Sequence, residues 1–480
     1  MSNIINIGYR EPAIIGDAGE LHIGFPFFYG SRYSDCFRDN DMFSFEKQTI
    51  ENKYNIKFPL TSDNFNNLKP EINKDNISIN FPDNFLYPID NAEYNRGVIK
   101  DFIEKKENFY IPIFFVGEEL FEIEPEIIEE EVADYIRLKK AAFLLQFPME
   151  GYIGRNDISF KWLHKFVEVN KLPNTSILFV VSNFKIKETY QAFLTENNLT
   201  SCVTFLPYNY FEHELWFVNH RYKLNEVYLN HHTGIKDNLI QERKKRKFFK
   251  HFSFMSRRFD LHRLITFSHI KANGNLNKTS LCSFFNPNSI PNTEIKKYLT
   301  YDYWKPIANY KNVIKFVDST DFSVPFLINN NFRSGNTDNL AETLDMYTHN
   351  AALICIITES LYNKESIFFS EKTFKPIYTL NPFFLVGNTG SLKELKKLGY
   401  KTFDNWWDES YDEEPDLVLR LNKLYTEYQK IAEWSIDKIN QVYEEMQPIL
   451  LHNFNVLMSK DGITSFTESV LSHFNTLNKE

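Results

Sequence analysis

The sequence predicts an α/β protein built from two Rossmann-like, doubly wound domains and a C-terminal helical tail. Three observations predict it. Continuous apolar runs such as Ala141–Phe147 (AAFLLQF), 176–181 (SILFVV) and 353–357 (LICII) have the length and composition of buried parallel strands. Amphipathic helical segments separate such runs at the spacing of right-handed βαβ units. A chain of 480 residues also exceeds what one hydrophobic core normally serves, so two domains are expected.

Composition narrows the function classes. Apolar residues make up 43% and aromatics 16%, with 46 Phe, enough to fill two cores. A net charge of −9 argues against general nucleic-acid binding, which needs a dense positive surface. Cys36, Cys202, Cys282 and Cys355 are far apart and form no CxxC pair, which predicts reduced thiols in a cytoplasmic protein rather than a zinc site or a disulfide scaffold. The start MSNIINIGYREPAIIG lacks the basic head and apolar core of a signal peptide, and no run reaches the roughly 18 apolar residues of a membrane span. Peripheral membrane contact stays open. The absence of G-x-G-x-x-G and of a P-loop weighs against dehydrogenases and P-loop NTPases.

Taken in order, residues 1–107 read as an irregular, Asn- and Asp-rich extension of the first domain. Asp39 and Asp41 fit a D-x-D pattern that could hold a divalent metal on a donor diphosphate, but no apolar strand precedes them. Residues 108–240 read as the first Rossmann-like domain: strands at 109–116, 141–147, 176–181 and 202–206, with helices over 118–140, 158–172 and 188–197 between them. The pair His231 and His232 reads as a turn, and the basic run from Arg243 to Lys247 as a solvated linker face.

Residues 248–430 read as the second Rossmann-like domain. A strand over 248–255 runs into Arg257 and Arg258, then into a helix carrying His262 and Arg263, a strand–basic turn–helix order suited to phosphate. The strand at 353–357 ends in Thr358, Glu359 and Ser360, where Glu359 could face a sugar or ribose. Then comes Ser370-Glu371-Lys372, with Ser370 as N-cap of a helix kept short by Pro376, followed by Thr373 in its first turn. A strand over 382–386 and a second helix with the capping pair Ser391 and Glu394 follow. Two helix N-termini close in sequence suit a diphosphate. Beside them, Lys372 can neutralise phosphate while Glu371 accepts hydrogen bonds from ribose hydroxyls. By itself the triplet also fits an ordinary capped helix with two solvated charges. The acidic segment 405–414 reads as a surface loop whose two tryptophans pack against something, and residues 431–480 as helices, broken near Pro448, that cross back to the first domain.

The segment SEKTFKPI, with PFFLVG, GSL and LGYKTF after it, resembles the donor-site signature of GT-B glycosyltransferases of the fucosyltransferase-like type, and a weaker likeness covers 252–263. That resemblance implies a GT-B fold with two Rossmann-like domains facing a central cleft, and transfer of a sugar from a nucleotide-diphosphate sugar to a carbohydrate or glycoconjugate hydroxyl. It implies a diphosphate contact from Arg257 or Arg258, a donor site opened by Ser370, Glu371, Lys372 and Thr373, and an inverting displacement. His262 and Arg263 on the following helix fit a ligand role or a helix polar face and interdomain packing equally, and Glu359 fits a ligand contact as well as the capping of its neighbours. A leaving group neutralised by positive side chains needs no metal cofactor. The resemblance also implies a first-domain glutamate as base. Glu150, after the AAFLLQF strand and beside Gly151, is the candidate, with Glu119, Asp157 and Glu212 as competitors. The alternatives are a non-catalytic nucleotide- or carbohydrate-binding protein of the same fold, or a metal-dependent GT-A-type transferase using Asp39 and Asp41.

Overall fold

The computed structural model describes residues 5–9, 14–15, 21–22, 94–114, 125, 127–147, 156–209, 211–212, 245–256, 260–284, 291–299, 301–322, 326, 346–360, 362, 366–459, 469–470 and 472–473. These divide into two compact units, Met1–Tyr208 with Asp461–Glu480, and Asn209–Lys460.

The first unit is organised on a six-stranded parallel sheet. In chain order it holds β1 (Ile5–Tyr9), a two-stranded antiparallel pair β2 (Ile14–Ile15) and β3 (Leu21–His22), β4 (Tyr94–Val98), α1 (Ile99–Lys105) and β5 (Phe109–Phe114). There follow α2 (Glu130–Arg137), β6 (Ala141–Phe147), α3 (Asn156–Val169), β7 (Ile177–Val181), α4 (Ile186–Asn197) and β8 (Thr204–Pro207). The sheet order is β4-β1-β5-β6-β7-β8. Successive side chains of a strand face opposite ways. Phe109, Ile111, Phe143, Leu145, Ile177 and Phe179 accordingly point to one face and pack with Val132, Ile136, Leu163, Phe166 and Phe193 of α2, α3 and α4. Tyr110 points the other way, fully buried, and its hydroxyl donates to the Val470 carbonyl at 2.8 Å and lies 2.9 Å from His473 Nδ1. A C-terminal segment some 360 positions on thus meets the second face of this sheet at Tyr110.

The second unit carries β9 (Lys250–Ser256), α5 (Leu261–Ala272), α6 (Gly274–Thr279), β10 (Ser280–Phe284), α7 (Asn292–Leu299), α8 (Tyr310–Ser319), α9 (Met346–Ala351) and β11 (Ala352–Thr358). It continues through α10 (Glu371–Tyr378), β12 (Phe383–Val386), α11 (Ser391–Lys397), α12 (Leu417–Ala432) and α13 (Ile436–Ser459). All of its strand pairs are parallel, in the order β10-β9-β11-β12. Both sheets therefore start from an inner strand, place the second strand on one side of it and the later strands on the other. This is the doubly wound, Rossmann-like order, and it creates a switch point between the first and third strands: β1/β5 in one unit and β9/β11 in the other.

Several expectations change. Ile5–Tyr9 and Tyr94–Val98 pair in full parallel register inside the sheet, so the first hundred residues contribute strands rather than irregular decoration alone. The expected helix over 118–140 is described only as α2, Glu130–Arg137. Pro448 does not break the tail. It lies inside α13, whose buried face (Ile439, Val442, Tyr443, Met446, Leu450) offsets the roughly 3 kcal/mol an interior proline costs. The break falls at Glu433–Ser435 instead.

The basic run is not simply solvated either. Arg246 sits between the rings of Phe248 and Tyr443, 4.8 and 4.9 Å from their centroids, and donates to the His349 carbonyl at 3.1 Å. The tryptophan pair packs within its own unit: Trp407 lies 4.5 Å from Phe384 between ring centroids, and Trp406 Nε1 donates to Glu445.

Candidate functional site

At the β9/β11 switch point, β11 ends in Thr358 and hands over to Glu359, which is 1% exposed. Nothing apolar could stand in for what this carboxylate does. Its Oε1 accepts from the Ser370 amide at 3.0 Å and from the Thr373 hydroxyl at 2.5 Å, and its Oε2 accepts from the Ser370 hydroxyl at 2.6 Å and the Ser360 amide at 3.4 Å. A buried carboxylate needs this many donors to offset its lost hydration. The Glu359 side chain is thus bonded to the start of α10, and its main-chain carbonyl is bonded to α5: His262 Nε2 donates to the Glu359 oxygen at 2.8 Å.

His262 is fully buried and stacks on Tyr362 with centroids 3.8 Å apart. Burial, and then the positive charge of Arg263, hold its imidazole well below the usual value of 6.5, so the ring is neutral and its proton sits on Nε2. Arg263, one position on in the first turn of α5, is 2% exposed; it pairs with Asp260 at 2.9 Å and donates to the Ser360 hydroxyl at 3.4 Å.

Ser370 caps α10 as its residue type predicts, accepting from the Lys372 amide at 3.3 Å, and Pro376 lies within the eight-residue helix. Lys372 Nζ lies 2.8 Å from Glu371 Oε1 and 3.2 Å from Ser370 Oγ, with the lysine side chain 29% and the glutamate 16% exposed. Burial works to raise the Glu371 carboxyl, but Lys372 and Lys375 outweigh it and pull it down to about 2. Glu371 is therefore a carboxylate at any physiological pH, available as an acceptor.

The second helix start differs. Gly390, at φ +83°, is the N-cap of α11, and Ser391 turns its hydroxyl back to the Asn388 carbonyl at 2.6 Å. The α11 amides of Leu392 and Lys393 are taken by the two carboxylate oxygens of Asp412, at 2.9 and 3.1 Å. An internal anion occupies this helix start, which corrects the expectation that both termini are free for a diphosphate. Asp412 comes from the segment expected to be an acidic surface loop, and it is buried. Its neighbour Glu409 accepts from the Thr402 hydroxyl and the Phe403 amide.

His262, Arg263, Glu359, Ser370, Glu371, Lys372 and Thr373 come together at one sheet edge. Arg257 and Arg258, which follow β9 directly in the chain, lie outside the described residues, as do Glu150, Glu119, Asp39, Asp41, His231 and His232. The backbone of Asp157 lies in α3. Glu212 falls in the second unit, buried, where the Tyr400 hydroxyl donates to its Oε1 at 2.7 Å. Two contributors escaped the sequence reading: Asp260, because an isolated Asp before a helix reads as a cap, and Tyr362, because nothing local links it to His262.

Among the described residues no group of three His, Cys, Asp or Glu side chains could hold a metal, and no helix is long and apolar enough to cross a membrane. Cys202, Cys282 and Cys355 are free thiols, and burial raises those of Cys202 and Cys282 to about 11 and about 12. No protein-family model matches the chain, and comparison with curated proteins gives no significant match.

Proposed function

We propose that the protein is a GT-B glycosyltransferase whose second unit binds a nucleotide-diphosphate sugar and which transfers the sugar to a carbohydrate or glycoconjugate hydroxyl. The observation that supports this reading is the meeting of Lys372, ionised Glu371 and the capped start of α10 at the carboxyl edge of a parallel sheet, at its switch point. Phosphate and ribose make opposite demands on a site, and this pair meets both. Lys372 balances the charge that builds on the departing diphosphate, while the Glu371 carboxylate accepts from ribose hydroxyls.

In this reading Arg257 or Arg258, leaving the end of β9, adds positive charge to the same diphosphate. With the leaving group neutralised by side chains, the displacement has no need of a divalent cofactor. Glu150, after β6 in the first unit, takes the acceptor proton as the sugar inverts.

Calorimetry with GDP, UDP, CDP, dTDP and CMP tests the donor site. One nucleoside diphosphate is expected to bind, and Lys372→Ala to weaken it about tenfold or more, the scale of a lost charge-assisted contact, with the circular dichroism spectrum unchanged. Failure of every nucleotide to bind the unaltered protein overturns the reading. Glu150→Gln is expected to keep donor binding and lose transfer, and hydrolysis of the bound donor without acceptor separates an enzyme from a binding protein.

A further inference from the structure

Glu359 is a heavily bonded charged group at the switch point, and its bonding leaves it little to offer a ligand. Both of its oxygens are engaged by Ser360, Ser370 and Thr373, all donors, which is the pattern a carboxylate takes. The Ser370 hydroxyl, 2% exposed, has one proton, and at 2.6 Å it goes to Glu359. The Ser370 oxygen is then left with lone pairs only, and these face the Lys372 amide at 3.3 Å and Lys372 Nζ at 3.2 Å. A hydroxyl free to rotate could instead point its proton at the α10 amides and fail as a cap.

Resting on the donor-site reading above, we propose that Glu359 is a positioning residue for Lys372. By consuming the Ser370 proton it fixes the polarity of the serine oxygen, which in turn caps the first turn of α10 and holds the lysine ammonium where an anionic diphosphate meets it. Thr373, fully buried and bonded to the other carboxylate oxygen, locks the carboxylate plane. His262 steadies the same residue from behind by donating to its main-chain oxygen. Glu359 itself does not touch the nucleotide.

The test pairs Glu359→Gln with Lys372→Ala and reads nucleoside diphosphate affinity. An amide in place of the carboxylate offers its own N–H to Ser370 and releases the hydroxyl proton. Glu359→Gln is expected to weaken binding about tenfold in the unaltered background, and to change nothing further when Lys372 is already alanine. Ser370→Ala should reproduce the loss, and Ser370→Thr, which keeps the hydroxyl, should restore binding. Equal losses in both backgrounds, or normal binding by Glu359→Gln, overturn the proposal.

A second measurement does not depend on any nucleotide: the rate at which Lys372 is acylated by an amine-reactive ester, followed by mass spectrometry. Release of the ammonium from Ser370 should raise that rate several-fold in Glu359→Gln while leaving Lys396, on α11, unchanged. If no nucleotide binds the unaltered protein but Lys372 labelling rises, the donor site is lost and the positioning role stands. An unchanged labelling rate sinks the positioning role whichever nucleotide binds.

Discussion

The starts of α10 and α11 look alike in sequence and differ in the folded chain. Each offers serine and glutamate near its first turn, and each follows an apolar stretch. At α11 the amides of Leu392 and Lys393 are closed by Asp412, so that terminus is spent on holding the fold. At α10 the Glu359 carboxylate takes the Ser370 amide and the Ser370 hydroxyl takes the Lys372 amide, while the Lys372 and Glu371 side chains remain part-exposed. A helix dipole is therefore no guide to a binding site until its amides have been accounted for. Both starts are met from within the chain, α11 by Asp412 and α10 by Glu359 and the Ser370 cap, and what distinguishes α10 is the part-exposed Lys372–Glu371 pair on its first turn.

The widest separation between the two starts should come from removing Asp412. Asp412→Ala leaves two buried amides without acceptors and is expected to cost about 2–3 kcal/mol of stability, read as a lower melting temperature and faster amide exchange at Leu392 and Lys393. Nucleotide affinity should be untouched. Lys372→Ala should do the reverse, lowering stability by about 1 kcal/mol or less because its ion pair is part-exposed, while nucleotide affinity falls. Equal destabilisation by the two variants would erase the distinction.

The smallest effect is expected from pH, and it has opposite sign at the two starts. Glu371 is held at about 2, below its unfolded value of 4.5, so its contribution is present above pH 4.5 and is lost as pH falls from 4.5 toward about 2. Burial raises Asp412 above 3.8, against the opposing pull of the Leu392 and Lys393 amides, so its contribution is full below 3.8 and declines as pH rises through the elevated value. Melting temperature followed against pH should show a steeper acid loss in the unaltered protein than in Glu371→Gln, and a shallower one than in Asp412→Asn. Parallel curves for all three would break the contrast.

The two units also differ in what they bury. Among the described residues every buried Asp, Glu and Arg side chain, Glu212, Arg263, Glu359, Asp412, Arg420 and Glu427, belongs to the second unit. Such groups are costly unless bonded, and Arg420 shows how the cost is met: its guanidinium donates to the main-chain oxygens of Gly387, Glu414 and Pro415. Charge burial alone therefore does not mark a site. Arg420 and Asp412 brace loops, whereas Glu359 and Arg263 stand at a switch point.

Local chemistry was enough to read much of this chain. The AAFLLQF strand has the bounds its apolar run implies, and Ser370 caps a helix that Pro376 keeps short, because strand burial and capping are decided within a few residues. In β1, Ile5, Ile7 and Tyr9 alternate as a strand should, whereas Tyr94–Val98 (YNRGV) carries no such signal and is a strand only because β1 lies beside it.

Sequence alone thus determined the α/β alternation, the place of the α10 start and the residue types gathered there. Only tertiary structure decided that Asp412, twenty positions beyond Leu392, closes α11, that Glu359 turns inward to Ser370, and that Tyr110 meets a segment from the far end of the chain. Patterns of propensity and capping act over a turn or a strand. The partner of a buried charge is chosen by which distant backbone the sheet order brings within about 3 Å.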